Sequence, residues 1–337
     1  MKIVKRIVLS VLGMAMLVNV AAQGKRGASE KEKETAYSKL FKDKKVITRK
    51  GMITLHKMNG KVYFEFPVRL LNRYMLLGSV AEAVSNSNDA AAGEQANDPL
   101  CIYFTQIDST VHIRSANFDA RTGQADPFLQ DALEKNTSGA ILASFKILAV
   151  SPDSSSVVFE PTAFFVSGNK KMDPFMPVGG LNGRKTSYKG ENSLLGDIMA
   201  YEDNISVTSF LSFEVTSTFF GFLVESNRPS TIVMKRTLVL LPDSPMRPRL
   251  NDPRIGVFYT AYMNFSGMDN GSKIVYYANR WRLEPSDPAA YRRGELVTPR
   301  KPVVFYIDDK FPSRWIPYIR KGIEDWNKAF EQIGFKN

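Results

Sequence analysis

Residues 52–66 read MITLHKMNGKVYFEF, and this stretch determines the fold class that we expect for the chain. The runs on either side of Asn59-Gly60 are rich in aliphatic, aromatic and β-branched residues. An Asn-Gly pair between two such runs is typical of a tight β-hairpin, because both residues tolerate the positive φ that the turn requires. The stretch therefore predicts an antiparallel hairpin, and Pro67, which has no N–H to donate to a ladder, ends its second strand.

The same type of pattern recurs further along the chain. Residues 101–106 and 110–114 are strand-like runs separated by three turn-type residues, and 144–150 can pair with 156–159 across a short polar turn. The remaining candidates are a strand or short helix at 73–84, a helix at 128–134, and strands at 206–217, 230–241, 257–265 and 273–283. The body of the chain is thus predicted to be α+β and predominantly antiparallel β, with few helices.

Two segments rich in small and polar residues, 85–98 and 173–190, predict surface loops. The second contains residues 179–187, GGLNGRKTS, whose glycines and hydroxyls could present donors to a phosphate. A Walker loop needs glycine directly before its lysine, and Arg184 stands at that position. The spacing favours a flexible surface loop instead.

The first 22 residues have the order of a secretory signal peptide, with basic residues, then a mostly apolar stretch at 7–18, then small residues at 20–22. The apolar stretch of about 12 residues is short of the roughly 20 that span a bilayer. We expect residues 1–22 to be a cleaved signal peptide, 23–47 a polar linker that is either solvated or a loose helix, and the mature chain to be exported without a transmembrane segment. Its location would be the periplasm, the cell surface or the medium.

Composition excludes several classes of protein. The single cysteine, Cys101, rules out an intramolecular disulfide, and a lipoprotein would need a cysteine directly after the signal. The formal charge is +11, but the basic residues alternate with acidic ones along the chain, so we expect no nucleic-acid partner. Attraction to an anionic surface, such as lipopolysaccharide or lipid headgroups, stays open.

The residue types that carry hydrolytic chemistry are sparse. The chain has two histidines, His56 and His112, each inside a predicted strand, and it contains no His-Glu-x-x-His and no Gly-x-Ser-x-Gly. We interpret both histidines as half-exposed strand residues. The carboxylate pairs 308–309 and 324–325 belong to a turn and to the polar face of a helix. We therefore predict no catalytic, cofactor-binding or metal-binding residue in this chain.

Residues 245–256, PMRPRLNDPRIG, combine three prolines with three arginines. The prolines hold the chain extended, and the arginines offer bidentate donors to carboxylates. Two interpretations stay open: a strap across an acidic surface, or a plain linker between domains. In residues 280–285, RWRLEP, we expect buried Arg or Trp contacts near a domain junction.

The last forty residues predict a strand followed by an amphipathic helix. Residues 302–307, PVVFYI, form an apolar run of strand type, and Gly334 has the position of a helix C-cap glycine. The apolar positions of the helix are three or four residues apart, which predicts one buried face: Ile316, Ile319, Ile323, Trp326 and Phe330. One strand and one helix cannot cover each other, so we expect the polypeptide to continue beyond residue 337.

These elements together resemble the N-terminal half of the exported zinc-dependent metallopeptidases of Bacteroidetes-type bacteria. The residues that carry the resemblance are the strap at 246–249, WRLEP at 281–285, the run at 302–308, and GIEDWNKAF at 322–330. In that family two domains of unknown function precede a metzincin-like catalytic domain. The resemblance implies that residues 298–337 are the first strand and helix of a truncated α/β catalytic domain, and that 48–97 and 98–297 are a small β-hairpin domain and a β-rich accessory domain.

The function implied by the resemblance is that of a non-catalytic, itself inactive portion of a zinc metallopeptidase. Its partner would be the catalytic domain of the same polypeptide, which holds the zinc and alone meets the peptide or protein substrate. No residue of this chain matches a zinc ligand or the general base. Two other classes stay open: an independent exported β-rich protein that binds a glycan or cell-surface polymer, and a prodomain or inhibitor that acts in trans.

Overall fold

The computed structural model describes residues 35–122, 127–267, 271–308 and 311–336. The predicted signal peptide, 1–22, lies outside the described residues, as do residues 23–34 of the predicted linker. Those two predictions stay predictions.

The described residues form short helices and many strands. In chain order they are α1 (Ala36–Phe41), β1 (Ile47–Arg49), β2 (Thr54–Met58), β3 (Lys61–Pro67), β4 (Met75–Val84), β5 (Leu100–Ile107), β6 (Thr110–Ser115), β7 (Ala120–Arg121), α2 (Pro127–Asn136), β8 (Ile141–Lys146), β9 (Ala149–Val150), β10 (Ser156–Phe159), α3 (Thr162–Phe165), β11 (Asn182–Ala200), β12 (Asn204–Phe219), β13 (Phe222–Leu240), β14 (Tyr259–Gly267), β15 (Gly271–Ala278), α4 (Pro288–Arg292), α5 (Ile316–Glu324) and α6 (Asn327–Gln332). Short 3-10 helices occupy Val68–Leu70, Lys170–Met172 and Ser313–Trp315.

The strands form three sheets. The first has the order β1-β2-β3-β10-β9, the second β11-β12-β13-β4-β5-β6-β8, and the third β15-β14-β7. Neighbouring strands are antiparallel except for β7 and β14, which are parallel. The prediction of a mostly antiparallel β fold with few helices is confirmed for the described residues.

The hairpin of residues 52–66 forms as predicted. Strands β2 and β3 pair in antiparallel register, and Asn59 and Gly60 have φ of 51° and 72°. Alternate residues of β3 are buried, which is the period expected of a strand with one face on a core: Val62, Phe64 and Phe66. The prediction is confirmed because the turn determines which residues of the two strands pair, and the alternation of apolar and polar residues determines which face of the strand points inward.

One hydrophobic core joins the first two sheets. Phe66 of β3 lies against Phe104 of β5, with ring centroids 4.6 Å apart. The cluster takes side chains from the first sheet (Leu55, Val62, Phe64, Phe66 and Phe159) and from the second (Leu77, Ile102, Phe104, Val207 and Leu238). Burying one such side chain contributes about 1.5 to 3 kcal/mol, so this cluster is the main source of stability. Because β4 lies between β13 and β5, the predicted segments 48–97 and 98–297 both contribute to this core. Their division into two domains stays a prediction.

One of the two predicted loops differs from the structure. Residues 182–190 of the predicted loop 173–190 are strand, because β11 begins at Asn182 and pairs with β12. A Cβ at Gly183 would collide with Thr218 Oγ1, so a glycine there lets the two strands approach. The other loop, 85–98, lacks regular structure as predicted, but it buries Asp89.

Other strand and helix predictions are confirmed in type. Residues 128–134 lie in α2 and 73–84 mostly in β4. The predicted pairing of 144–150 with 156–159 holds for β9 and β10, whereas residues 144–146 belong to β8 and pair with β6.

The C-terminal predictions are partly wrong. Residues 302–307 do not form a strand, since no described strand lies beside them to accept a ladder. The helix is divided into α5 and α6 around Asp325 and Trp326, and none of its side chains is buried. Gly334 follows α6 with φ of 91°, which confirms the predicted cap.

A small cluster anchors the end of this region. Val297 forms a parallel bridge with Phe335, and Ala290 is buried beside them. The Val297 N–H donates to Gly334 O at 3.0 Å, and the Lys336 N–H donates to Val297 O at 3.0 Å. This cluster of three buried residues is far smaller than the core, so the C-terminal segment is held at its last turn and little elsewhere.

Candidate functional site

His56 is buried, with 6% of its surface exposed, so its interpretation as half-exposed is wrong. Its Nδ1 lies 2.9 Å from Thr48 Oγ1, and its Nε2 lies 2.9 Å from Glu65 Oε2. The Tyr37 hydroxyl donates to the same carboxylate oxygen at 2.9 Å, and burial, with this carboxylate, raises the pKa of Tyr37 to about 12. His56 is buried because Phe41 of α1 lies against it. Helix α1 falls within the predicted linker, 23–47.

The order hydroxyl, imidazole, carboxylate is also that of a hydrolytic triad. Here, however, the Phe41 ring lies on the imidazole, with centroids 4.5 Å apart, and Tyr37 occupies the carboxylate. Both residues belong to α1. The arrangement therefore serves to fasten α1 to the first sheet.

His112 lies apart from His56, on β6 of the second sheet. It is partly exposed, as the sequence indicated, and its Nδ1 lies 2.8 Å from Ser144 Oγ of the neighbouring strand. Across the part of the chain that the structure describes, no group of three or more His, Cys, Asp or Glu residues could hold a metal ion.

A buried ion pair holds the loop 85–98 to β13. Asp89 accepts two hydrogen bonds from the Arg228 guanidinium, at 2.7 and 3.0 Å, and one from the Ser230 hydroxyl at 2.6 Å. Burial acts to raise the pKa of Asp89, but these bonds and the charge of Arg228 outweigh it, and the pKa is lowered. No local sequence pattern indicates this pair, because its partners lie far apart in the chain.

Arg236, on β13, is almost completely buried. Its guanidinium donates to Phe165 O and, at 3.4 Å, to Met172 O, while its Nε has no partner among the described residues. Burial lowers the pKa of Arg236 to about 10. The Arg236 guanidinium is held by carbonyls alone, and its role is structural: it ties α3 and the 3-10 helix after α3 to the second sheet.

The remaining sequence candidates have local roles. Arg184, in the rejected phosphate loop, donates to Met176 O, Asn88 O and Asp89 O at 2.7 to 3.3 Å, so its guanidinium orders two loops. Asp325 pairs with Lys321 at 3.0 Å on the exposed side of the helix. Asp308 lies outside the helices and strands, and residue 309 lies outside the described residues.

The strap 245–256 lies along β15. Leu250 forms an antiparallel bridge with Tyr277, the Asn251 N–H donates to Tyr276 O at 2.9 Å, and the Ala278 N–H donates to Arg249 O at 2.9 Å. The strap therefore adds an edge to the third sheet and does not run freely between domains.

The expected buried Arg or Trp contacts at 280–285 are not found. Arg280, Trp281 and Arg282 are exposed. Arg282 pairs with Glu284 at 2.8 Å and donates a hydrogen bond to Ser244 O at 2.8 Å. This exposed side chain therefore connects the residue before the strap to the chain that follows β15.

Exposed aromatic residues are the main feature of the C-terminal region. We call the following five the C-terminal aromatic residues: Phe305, Tyr306, Trp315, Tyr318 and Trp326. Tyr306 is 93% exposed and Trp326 is 68% exposed, although the helical spacing predicted that Trp326 would be buried. The other four positions of the predicted buried face are partly exposed: Ile316, Ile319, Ile323 and Phe330.

A second exposed apolar group ends the β12–β13 hairpin. It consists of Phe219, Phe220, Phe222, Leu223 and Val224, which we call the hairpin tip. These residues surround a turn at Gly221, where φ is 80°. The hairpin tip ends two paired strands, whereas the C-terminal aromatic residues lie outside the three sheets.

Together these features define the chain as a mostly antiparallel β protein whose described residues include two groups of exposed apolar side chains. No described helix is long and apolar enough to cross a membrane. Residues 93–286 match the model of a domain of unknown function, DUF5117, and residues 34–84 match a second one, DUF5118. The first match covers more than half of the chain, which therefore belongs to the DUF5117 family. Comparison with curated proteins and with solved structures gave no match.

Proposed function

We propose that this chain is the non-catalytic portion of an exported zinc-dependent metallopeptidase, and that its β-rich body supports or covers the catalytic domain. The observation that carries the proposal is the exposure of the C-terminal aromatic residues, together with α5 and α6, which have no fully buried side chain. Two domains of unknown function in series also agree with the domain order of the family that the sequence resembles. Export rests on the signal-like residues 1–22.

Physical chemistry favours a partner for these residues. Soluble proteins rarely leave a contiguous apolar patch without a function, and one aromatic side chain can bury about 150 to 250 Å² in an interface. Trp326 and Tyr306 expose most of their surface. A β-sheet of a catalytic domain, laid on α5 and extended by the run at 302–308, would cover both.

Zinc belongs to the catalytic domain in this proposal. There it would supply a Lewis acid that lowers the pKa of a bound water toward about 7. The described residues of this chain offer no group of ligands for it. Their part is to bind and orient the catalytic domain.

The test is direct binding to the purified catalytic domain of a complete metallopeptidase of the resembling family, followed by calorimetry and size-exclusion chromatography. We expect a complex that the double substitution Tyr306→Ala and Trp326→Ala weakens by about tenfold or more, because buried aromatic residues dominate interface energies. The matched control is Phe222→Ala in the hairpin tip, which removes an equally exposed ring elsewhere. Absence of a complex, or equal weakening by both variants, contradicts the proposal.

One observation favours a second candidate, an independent exported protein that binds a glycan or cell-surface polymer. Tyr259 and Tyr276 are exposed on the third sheet, with ring centroids 5.1 Å apart, and exposed rings can stack on sugars. Limited proteolysis of the chain alone separates the two candidates. Rapid cleavage within α5 and α6 favours the peptidase proposal, whereas a resistant helix favours the independent binding protein.

A further inference from the structure

The strap and the end of β15 form a two-stranded ribbon that carries unpaired arginines. We call this feature the arginine ribbon and define it as residues 245–251 with 276–282. The bridge between Leu250 and Tyr277 fixes its register, and the Arg280 guanidinium donates to Arg247 O at 2.7 Å, which joins the two strands further along.

The register places the arginines and one tyrosine on the same face. Side chains alternate along an extended backbone, and residues directly opposite each other in an antiparallel pair share a face. Arg249 lies opposite Ala278, and Tyr276 lies opposite Asn251. Arg247 precedes Pro248, which restricts it to an extended conformation, so Arg247 follows Arg249 on that face.

The positive charge of this face is uncompensated. Arg247, Arg249 and Arg280 are exposed, and none of the three contacts a carboxylate of the described residues. By contrast, Arg254 of the same strap pairs with Asp252 at 2.6 Å. Three like charges close together in water have a free energy cost, which an anionic partner removes.

The spacing of the charges fits one kind of partner. Residues two apart in an extended chain are separated by about 6.6 Å, so the side chains of Arg247 and Arg249 match carboxylates on alternate residues of an extended peptide. Each guanidinium can hold a carboxylate by two parallel hydrogen bonds. The prolines of the strap limit its conformations before binding, which lowers the entropic cost of ordering it.

We propose that the arginine ribbon binds an extended acidic peptide whose carboxylates stand at alternate positions, with Tyr276 contacting the residue beyond the second carboxylate. The ring of Tyr276, flanked by Tyr259, gives an apolar surface beside the charges. This binding requires only the ribbon and is independent of the docking of a catalytic domain on α5 and α6.

The experiment is fluorescence anisotropy with the full chain and a fluorescein-labelled peptide of alternating Glu and Thr. A second peptide of the same length and charge, with its Glu residues in one block, is the matched probe. We expect the alternating peptide to bind more tightly, and Arg247→Ala with Arg249→Ala to weaken its binding by about tenfold or more, a change of about 1.4 kcal/mol. The control is Arg254→Ala, which removes one positive charge, as each of the two ribbon substitutions does. The Arg254 guanidinium already pairs with Asp252, so binding of the peptide should be unchanged.

A charge-preserving variant, Arg247→Lys with Arg249→Lys, tests the bidentate geometry and serves if the alanine variant does not fold. We expect it also to weaken binding, because lysine has no planar fork. Full binding by the lysine variant overturns the proposal, as does equal binding of the two peptides or equal weakening by Arg254→Ala. Tighter binding of an oligogalacturonate of equal charge also overturns it and assigns the ribbon to an anionic glycan.

Discussion

The core of the two large sheets and the C-terminal segment 302–336 contain the same kinds of apolar side chain, but the core buries its aromatic rings while the C-terminal segment leaves most of its own exposed. Phe64 in the core has no exposed surface, whereas Tyr306 and Trp326 expose most of theirs. Both regions have a regular apolar pattern, with period two in β3 and helical spacing in α5. The difference shows that a pattern identifies the face to be covered, while the rest of the fold determines whether a cover exists.

The largest expected effect is in the core. Phe64→Ala removes a ring that lies 5.8 Å from the Phe159 ring and 5.6 Å from the Phe165 ring, centroid to centroid. We expect a loss of about 3 to 5 kcal/mol in the free energy of unfolding, from lost burial and the cavity that remains. Urea unfolding followed by circular dichroism measures it. A loss below about 1 kcal/mol would contradict the contrast between the two regions, since Phe64 would then contribute little more to stability than a surface residue.

The second effect concerns the buried ion pair that holds a loop to the core. Asp89→Asn removes the charge that Arg228 binds, and we expect a loss of about 2 kcal/mol at neutral pH, the scale of a hydrogen-bonded charged group. The control is Asp252→Asn, where a partly exposed carboxylate pairs with the exposed Arg254 and little change in unfolding is expected. Equal losses in both variants would show that the burial of Asp89 has no consequence.

The ion pair between Asp89 and Arg228 also predicts how the free energy of unfolding changes with pH. The pKa of Asp89 is lowered in the folded state, below its unfolded value of about 3.9. Its stabilisation is therefore fully present above that unfolded value and is lost as the pH falls through the folded pKa. Unfolding measured at a series of acidic pH values should show a weaker pH dependence in Asp89→Asn than in the native chain. An unchanged slope contradicts this assignment.

Sequence reasoning predicted the parts of the fold that depend on neighbours in the chain. The hairpin at 52–66 needed only Asn59-Gly60 and the alternation around it, and both appear in the structure. Strand β11 was missed because residues 179–187 have the composition of a loop, and pairing with β12 overrides that preference. The run at 302–307 is the opposite case. Its composition is that of a strand, but no described strand pairs with it, so no strand forms.

The polar clusters show the same limit. His56 was visible as one of two histidines, but its partners Thr48, Glu65 and Tyr37 come together only through strand pairing and α1. Asp89 and Arg228 are far apart in the chain, and no local pattern connects them. The strap was recognised from its prolines and arginines, yet the bridge to β15 that makes it a sheet edge required the structure.

A further prediction tests whether the small C-terminal cluster unfolds independently of the core. Gly334 has φ of 91°, and a Cβ there would lie 2.6 Å from the Tyr291 ring. Gly334→Ala should therefore cost about 1 to 2 kcal/mol, and only locally. Hydrogen exchange at the Val297 and Lys336 amides, which bond across this cluster, should become faster while the urea midpoint of the core stays the same.

The matched control is Gly322→Ala in α5. A Cβ at Gly322 meets nothing within 4 Å, and alanine favours a helix over glycine by about 1 kcal/mol, so exchange in α5 should become slower. If Gly334→Ala also lowered the midpoint of the core, the two regions would unfold as one unit and the comparison would need revision.

The smallest effect should come from Trp326→Ala. Its large side chain is 68% exposed, so we expect the free energy of unfolding of the chain alone to change by no more than about 0.5 kcal/mol, as for the equally exposed Phe222→Ala. Urea unfolding measures both. A loss close to that of Phe64→Ala would mean that the ring is covered in solution and that the face of α5 needs no partner. A neutral result would show that the ring does not stabilise the chain alone, which agrees with the proposed contact of this region with a catalytic domain.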